Sequence, residues 1–349
     1  MSKVIVGISG GVDSSYTLHL LKKEGHEVIA VYLNMLGNRE DEDKARKCAE
    51  EMDSRFVSID CKDLFSEKVK EYFKNEYVAG RTPNPCVVCN KEVKIKLLYD
   101  MLEDFRADFI ATGHYAKVCY DERTERYSIG ISDDITKDQS YMLWMLDQNV
   151  LSKLILPLGT VIKSELRKNA GIIGLSSAAS KDSTDVCFIP DGNHASWLEK
   201  NGAMLQCGHF IHADGRNLGD SKPIYNYTIG QRKGLGLAMD KSVYVTGIDS
   251  NNSVVTVDYQ EGLYKNLFKV DNLNYVGIKD HVDLNMPIYV KIRYKAKIQK
   301  CKVCFDGEIC VVNAVDGESF KAVAPGQSAV FYDENGHILF GGLICSLGK

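Results

Sequence analysis

The sequence predicts an α/β protein in three parts: an N-terminal doubly wound parallel sheet, a small central β-rich domain and a C-terminal β-barrel. Three observations carry this expectation. Through residues 3–110, short apolar runs alternate with segments of helical period. The first apolar run breaks into a glycine-serine turn, Ser9–Ser15, directly ahead of a helical pattern. Beyond about residue 203 helical signal fades, and short alternating runs punctuated by Gly, Asp and Asn replace it. At 349 residues the chain is too long for one core of ordinary size, and the expected units are 1–203, 204–268 and 269–349.

Strands are expected at Val4–Ile8, Val28–Leu33, Arg55–Ile59 and Asp108–Ala111, with helices at about 14–24, 41–53, 62–78 and 89–104. In the last of these, Val93, Leu97, Leu98, Met101, Leu102 and Phe105 fall on one face. Strands separated by helices imply right-handed crossovers and a parallel sheet. Next, "YAKVCYDERTERYSIGIS" reads as a hairpin with a charged turn, and helical patterns return at 138–146, 163–171 and 193–201. Runs such as "SVYVTGIDSNNSVVTV" and "MPIYVKIRYKAK" then supply the β-structure of the last two units.

Composition narrows the class. The chain is 44% hydrophobic and 26% charged, and no apolar run approaches the roughly 20 residues of a membrane-spanning helix. The opening "MSKVIVGISGG" reads as a buried strand ending in glycines rather than a signal peptide. A soluble, cytoplasmic protein with no membrane partner is therefore expected. Its 11 cysteines are too dilute for a disulfide scaffold, so most should be free thiols and a few reactive or metal-bound. Net charge is −4, so any surface for nucleic acid must be local.

The turn "SGGVDSS" has the chemistry of a phosphate site. Glycines at 10 and 11 let backbone approach closely, and Ser14 and Ser15 add hydroxyls where the helix opens with free N–H groups. No Lys-Ser/Thr follows the glycines, and Gly7, Gly10 and Gly11 do not match G-x-G-x-x-G. The segment instead resembles the PP-loop of ATP pyrophosphatases, enzymes that split ATP between the α and β phosphates and adenylate a substrate oxygen. That resemblance implies an adenine nucleotide alpha hydrolase-like sheet with ATP at the strands' carboxyl ends. Gly7, Ile8, Ser9, Gly10, Gly11, Val12, Asp13 and Ser14 would hold the nucleotide, with Leu33 beside the adenine and Gly113 facing it. Mg²⁺ would accompany ATP, with Asp13 helping to order metal or phosphate.

The cysteines must choose the nucleophile. Cys86 and Cys89 lie in "RTPNPCVVCN", expected as a loop stiffened by Pro83 and Pro85 before the 89–104 helix, with Asn90 as its cap. A thiol at a helix start has its pKa lowered. Cys187, in "KDSTDVCFIPDG", is a third candidate. Cys301 and Cys304 sit three apart on an expected strand, on opposite faces, and cannot share a metal.

Here the resemblance sharpens. "GRTPNPCVVCN" followed by Lys91 and Ile95-Lys96, "ATGHYAKV", "KDQSYMLW", "KDSTDVCFIP", "TIGQRKGLG" and "APGQSAVFY" resemble, in order, the signature blocks of the tRNA-specific 2-thiouridylases, from residue 3 to about 342. The resemblance implies ATP-dependent thiolation of C2 of a wobble uridine in tRNA. Cys187 would carry a persulfide from an upstream sulfur-relay protein, and Cys89 would attack it to free the sulfur or close a Cys89–Cys187 disulfide. Cys86 stands where many members have Asp. With Cys89 and Cys187 it would supply three thiolates, which suit a [4Fe–4S] cluster fed by sulfide; persulfide and cluster readings both stand at this point. An amide-forming PP-loop ligase and a non-catalytic tRNA-binding protein are the competing functions. No glutaminase domain is visible for the former, and the intact loop and cysteines argue against the latter.

For RNA, Lys291, Arg293, Lys295 and Lys297 recur every two residues and on a strand would share one face, a phosphate-binding stripe. By resemblance, Arg293, Tyr294 and Gln327, together with His114, Lys137, Asp138 and Gln139, are tRNA contacts. Asn84, Pro85 and Cys86 would touch the extruded base.

Overall fold

The computed structural model describes residues 1–180, 186–204, 206–281, 284 and 286–347. Four strands open the chain: β1 (Lys3–Gly7), β2 (Glu27–Asn34), β3 (Arg55–Asp60) and β4 (Phe109–Ala111). A hairpin of β5 (Lys117–Asp121) and β6 (Arg126–Gly130) follows, as expected, and then the short β7 (Leu154–Ile155). The sheet is parallel throughout, in the order β3-β2-β1-β4-β7. Strand alternation sorts its side chains into two layers. Ile5, Ile29, Val31 and Leu33 pack with Phe65, Phe73, Val93 and Leu98. Val4, Val6, Val28 and Ala30 pack with Leu18, Leu21, Ala45 and Ala49, from α1 (Val12–Lys23) and α2 (Arg39–Glu50). Phe65 is wholly buried, and its truncation to alanine would cost roughly 3–5 kcal/mol. Strand order reverses between β1 and β4, and the crevice beyond their carboxyl ends is where such sheets bind ligands.

Two expected helices differ. The one placed at 89–104 begins instead at Pro85: an α segment Pro85–Cys89, a π turn Asn90–Lys94, then α again from Ile95 to Asp100. Proline at the first helical position has its φ already set and loses no needed N–H, so Pro85 starts the helix rather than stiffening a loop. Asn84 is the cap position, and Asn90 lies inside the helix (φ −62°, ψ −45°). The helix expected at 138–146 shrinks to a 3₁₀ turn, Ser140–Met142. The Asp138 carboxylate accepts from the Ser132 and Ser140 N–H groups, at 3.3 and 3.2 Å, and so competes with helical bonding.

A four-stranded sheet follows, formed by Gly208–His212, Asn217–Ser221, Tyr244–Asp249 and Val254–Asp258. Beyond it six strands close a barrel: Leu267–Tyr275, Ile309–Ala314, Gln299–Asp306, Ile288–Lys291, Ser328–Tyr332 and Ile338–Leu347. Phe268, Val290, Val312, Phe331 and Phe340 fill it. The barrel is docked on the N-terminal unit by Trp144, whose Nε1 donates to Ser328 Oγ at 2.9 Å. Tyr141 adds a hydroxyl bond to the Ser328 carbonyl at 2.9 Å. A Cβ at Gly341 would stand 2.6 Å from the indole, so only glycine admits this contact.

Candidate active site

The chain leaves β1 through Ser9–Gly11 and enters α1. Gly10 has φ +78°, and a Cβ there would lie 2.8 Å from Lys44 Cβ and 3.0 Å from the Ala45 nitrogen. The loop is closed by its own serines: Ser14 Oγ accepts from the Ser9 N–H (3.1 Å) and donates to the Gly11 carbonyl (3.0 Å). Ser15 Oγ donates to the same carbonyl at 3.0 Å, and Ser180 Oγ accepts from the Val12 N–H at 3.2 Å. The helix start therefore faces the crevice with a rigid, glycine-lined turn, a geometry suited to an anion. Gly113, just past β4, presses on this turn: a Cβ would come within 3.1 Å of the Asp13 and Ser14 backbone. Leu33 is buried at the end of β2. Asp13 accepts from the Tyr115 hydroxyl at 2.8 Å and pairs with Lys163 Nζ at 2.5 and 2.7 Å. Lys163, Tyr115 and Ser180 escaped sequence reasoning. Lys163 is separated from Asp13 by 150 positions, and no spacing links them.

Cys86 lies in the first turn of the Pro85 helix and is exposed, while Cys89, one turn on, is buried with its sulfur 3.9 Å from that of Met35. Cys187 is exposed, but the next two residues, Phe188 and Ile189, are buried. The Phe188 ring packs edge-on against Phe65 and Phe73, with centroids 5.7 and 5.3 Å away. That apolar anchor explains the brief apolar turn in "DVCFIP" and seats Cys187 by the helix. The thiols feel one another: burial chiefly raises the Cys89 pKa, and Cys187 and Cys86 add to the rise. Cys187 is raised by burial and then by Cys86. Lys94, on the π turn, opposes the rise at all three. Burial wins, and Cys89 is pushed up to about 12. The lowering expected at a helix start is thus reversed, because an apolar shell removes more solvation from a thiolate than one helix end returns. Every cysteine is a free thiol. Among the described residues no three His, Cys, Asp or Glu side chains are set to hold a metal ion. As placed, Cys86, Cys89 and Cys187 do not fit a cluster ligand set. Residues 181–185 of the "KDSTDVCFIP" block lie outside the described residues.

The expected RNA contacts fall into two groups. Several are bound into the protein itself. His114 is buried, its Nδ1 2.7 Å from Thr112 Oγ1, and burial, with Lys94 second, lowers its pKa to about 3. Gln139 Oε1 accepts from the Tyr115 N–H at 2.9 Å. Asp138, buried beneath the half-buried Lys137, meets Lys291 Nζ at 3.4 Å. Gln327 donates to the Thr82 and Pro83 carbonyls. Others are less enclosed: Asn84, whose Nδ2 approaches Met142 Sδ at 3.4 Å, and Tyr294, half-buried near Tyr141, its pKa raised by burial first and then by Asp138, with Cys86 a further cause. The basic stripe is corrected. Its strand ends at Lys291, and a turn closed by Ala296 N–H on the Arg293 carbonyl (3.0 Å) breaks the alternation. Arg293 folds inward, donating to the Ile229 carbonyl at 2.8 Å, and only Lys295 and Lys297 are exposed.

Comparison with known proteins covers nearly the whole chain. A family model described as tRNA methyl transferase HUP domain matches residues 2–191, tRNA methyl transferase PRC-barrel domain matches 197–258, and Aminomethyltransferase beta-barrel domain matches 265–344. The tRNA-specific 2-thiouridylase MnmA 2 of Caldanaerobacter subterraneus subsp. tengcongensis is 38% identical over 358 residues, spanning 98% of this chain and 97% of that one. The protein of the same name from Clostridium botulinum strain Hall is 37% identical over 354 residues, spanning 99% of each. With the glycine-serine turn and the paired cysteines in place and the likeness running end to end, the chain belongs to the MnmA family of tRNA-specific 2-thiouridylases.

Proposed function

We propose that this protein thiolates C2 of the wobble uridine in tRNA, using ATP to adenylate the uridine O2 before sulfur attacks C2 and AMP departs. One observation carries the reading: the sulfur of Cys89 lies 3.9 Å from that of Met35, two residues past Leu33 at the carboxyl end of β2. Gly113 and Tyr115, past the carboxyl end of β4, meet Asp13 and the phosphate turn. Both observations support a nucleotide site and a sulfur site at one edge of the sheet.

Each residue then has a task. The turn from Gly7 to Ser14 holds the phosphates, and Asp13, anchored by Lys163, helps order Mg²⁺. Exposed Cys187 is open to a persulfide-bearing sulfur-relay protein, whose sulfane sulfur passes to the Cys187 thiolate as the donor's own thiol is released, and it then carries the persulfide. Its terminal sulfur bonds to C2 as the C2–O bond to AMP breaks. Cys89 then attacks the Cys187 sulfur, closing a disulfide and leaving the transferred sulfur on C2. The two cysteines are oxidised by two electrons as the sulfane sulfur is reduced, so an external thiol must reset the pair. Buried Cys89 needs an outgoing proton acceptor, and Lys94 is the cation placed to favour its thiolate. Asn84 to Cys86 and His114 meet the extruded base, and Arg293, Tyr294, Lys137 and Gln327 border the RNA. The units 1–203, 204–268 and 269–349 divide the labour into catalysis, linkage and RNA binding. Among the described residues no helix is long and apolar enough to cross a membrane, and free thiols suit a reducing cytoplasm.

Mass analysis of tRNA after reaction with ATP and a persulfide donor, with and without reconstituted iron, tests this. One oxygen replaced by sulfur in the anticodon loop, dependent on ATP and with AMP released, is expected without iron. AMP formation on a small amine without tRNA would reject the reading, and product only with iron would restore the cluster.

A further inference from the structure

We infer that the segment Pro325–Gly326–Gln327 of the barrel is a strap that positions the Arg81–Pro85 loop, and through it Cys86, with the Gln327 amide as its clasp. The inference rests on the reading of that loop as the base-contacting part of the site. Prolines explain the need. Pro83 and Pro85 have no N–H, so this stretch carries more carbonyls than it can satisfy internally. The barrel supplies the missing donors. Gln327 Nε2 donates to the Thr82 carbonyl at 3.0 Å and to the Pro83 carbonyl at 3.2 Å. In return the Thr82 N–H donates to the Pro325 carbonyl at 2.8 Å.

Between these bonds the strap lies flat on the loop. Gly326 has φ +87°, and a Cβ would stand 2.9 Å from Arg81 Cβ and 3.0 Å from the Thr82 nitrogen. The strap is itself fixed to the barrel wall, since Gly326 N–H donates to the Ile344 carbonyl and Ile344 N–H to the Gln327 carbonyl, both at 2.8 Å. The rigid end of this chain of bonds is a barrel strand, and the other end is the helix start at Pro85. Both amide hydrogens of Gln327 are committed to the protein, which leaves only its carbonyl oxygen for RNA. Gln327 is thus a positioning residue for the reaction.

The test uses the full-length protein. Gln327→Glu keeps the shape, removes both donors and sets a carboxylate against two carbonyls; Gly326→Ala forces the loop away without altering any polar group. For each variant the thiolation kcat and the KM for tRNA are measured, together with the rate at which iodoacetamide alkylates Cys86. ATP-dependent thermal shift reports whether the fold persists. Expected is a kcat fall of roughly 10- to 100-fold at saturating tRNA, with KM changed by less than about 3-fold and Cys86 alkylation altered. A raised KM with unchanged kcat would overturn the strap in favour of direct RNA reading, as would unchanged kcat and alkylation in both variants. Should Gly326→Ala fail to fold, Gln327→Glu and Gln327→Met decide alone. If the native protein thiolates no tRNA, the alkylation rates decide: a change supports the strap and no change rejects it.

Discussion

The ammonium of Lys163 lies 2.5 and 2.7 Å from the two carboxylate oxygens of Asp13, joining the first turn of the helix Lys163–Ile172 to the first turn of α1. Lys163 is almost wholly buried and Asp13 about one-third exposed. Removing one partner leaves a poorly solvated charge, which costs about 3–5 kcal/mol for a fully buried pair and less where water reaches the carboxylate. Lys163→Met should therefore cost about 2–3 kcal/mol in urea unfolding and weaken ATP binding. A double-mutant cycle with Asp13→Asn should show coupling above about 1 kcal/mol. Additive losses would mean that the two side chains are neighbours without a working bond.

Much of the fold was legible because period and glycine placement act locally. The strands at 3–7, 27–34 and 55–60, the hairpin and, among the described residues, the absence of α-helix after residue 203 all follow from side-chain alternation. The helix start at Pro85 was misplaced because proline obeys opposite rules at a helix's first position and in a loop, and only tertiary contacts choose. The basic stripe failed for a related reason: alternation in sequence persists through Lys297, but the strand stops at Lys291 and its lysine is drawn inward by Asp138. The Asp13–Lys163 pair and the Gln327 clasp join residues 150 and 244–245 positions apart, and no single-sequence pattern encodes such a distance.

Gly10 should tolerate no side chain. Its positive φ alone costs an alanine about 1–3 kcal/mol, and contact with the Lys44–Ala45 backbone would displace α2. Gly10→Ala is expected to lower ATP affinity at least tenfold in equilibrium dialysis while tRNA affinity stays near native. Equal loss of both affinities would show that the change unfolds the sheet rather than the turn.

The thiol pKa values set a pH signature. Cys89 is raised from its ordinary value of 9.0 to about 12, mainly by burial. The folded state therefore holds the proton more tightly than the unfolded state. Its contribution to stability is full below pH 9 and is lost as pH rises from about 9 toward 12. In the free enzyme the alkylation rate of Cys89 should climb through pH 9 without a plateau. A plateau near pH 8 would mean that Lys94 outweighs burial and would reject burial as the dominant cause.

Salt dependence separates the lysines of the former stripe. Lys295 and Lys297 are exposed, whereas Lys291 is buried against Asp138 and 5.7 Å from the Tyr294 ring. A lysine on a phosphate releases counterions, so its loss reduces the slope of log K against log salt by about one. Lys295→Glu should weaken tRNA binding and flatten that slope without changing ATP affinity. Lys291→Met should leave the slope unchanged and lower stability by about 1–3 kcal/mol, since it removes the cation beside the buried Asp138 carboxylate and leaves that charge to its Ser132 and Ser140 donors. The reverse pattern, a flattened slope for Lys291→Met and none for Lys295→Glu, would place the RNA backbone against Lys291 instead of Lys295.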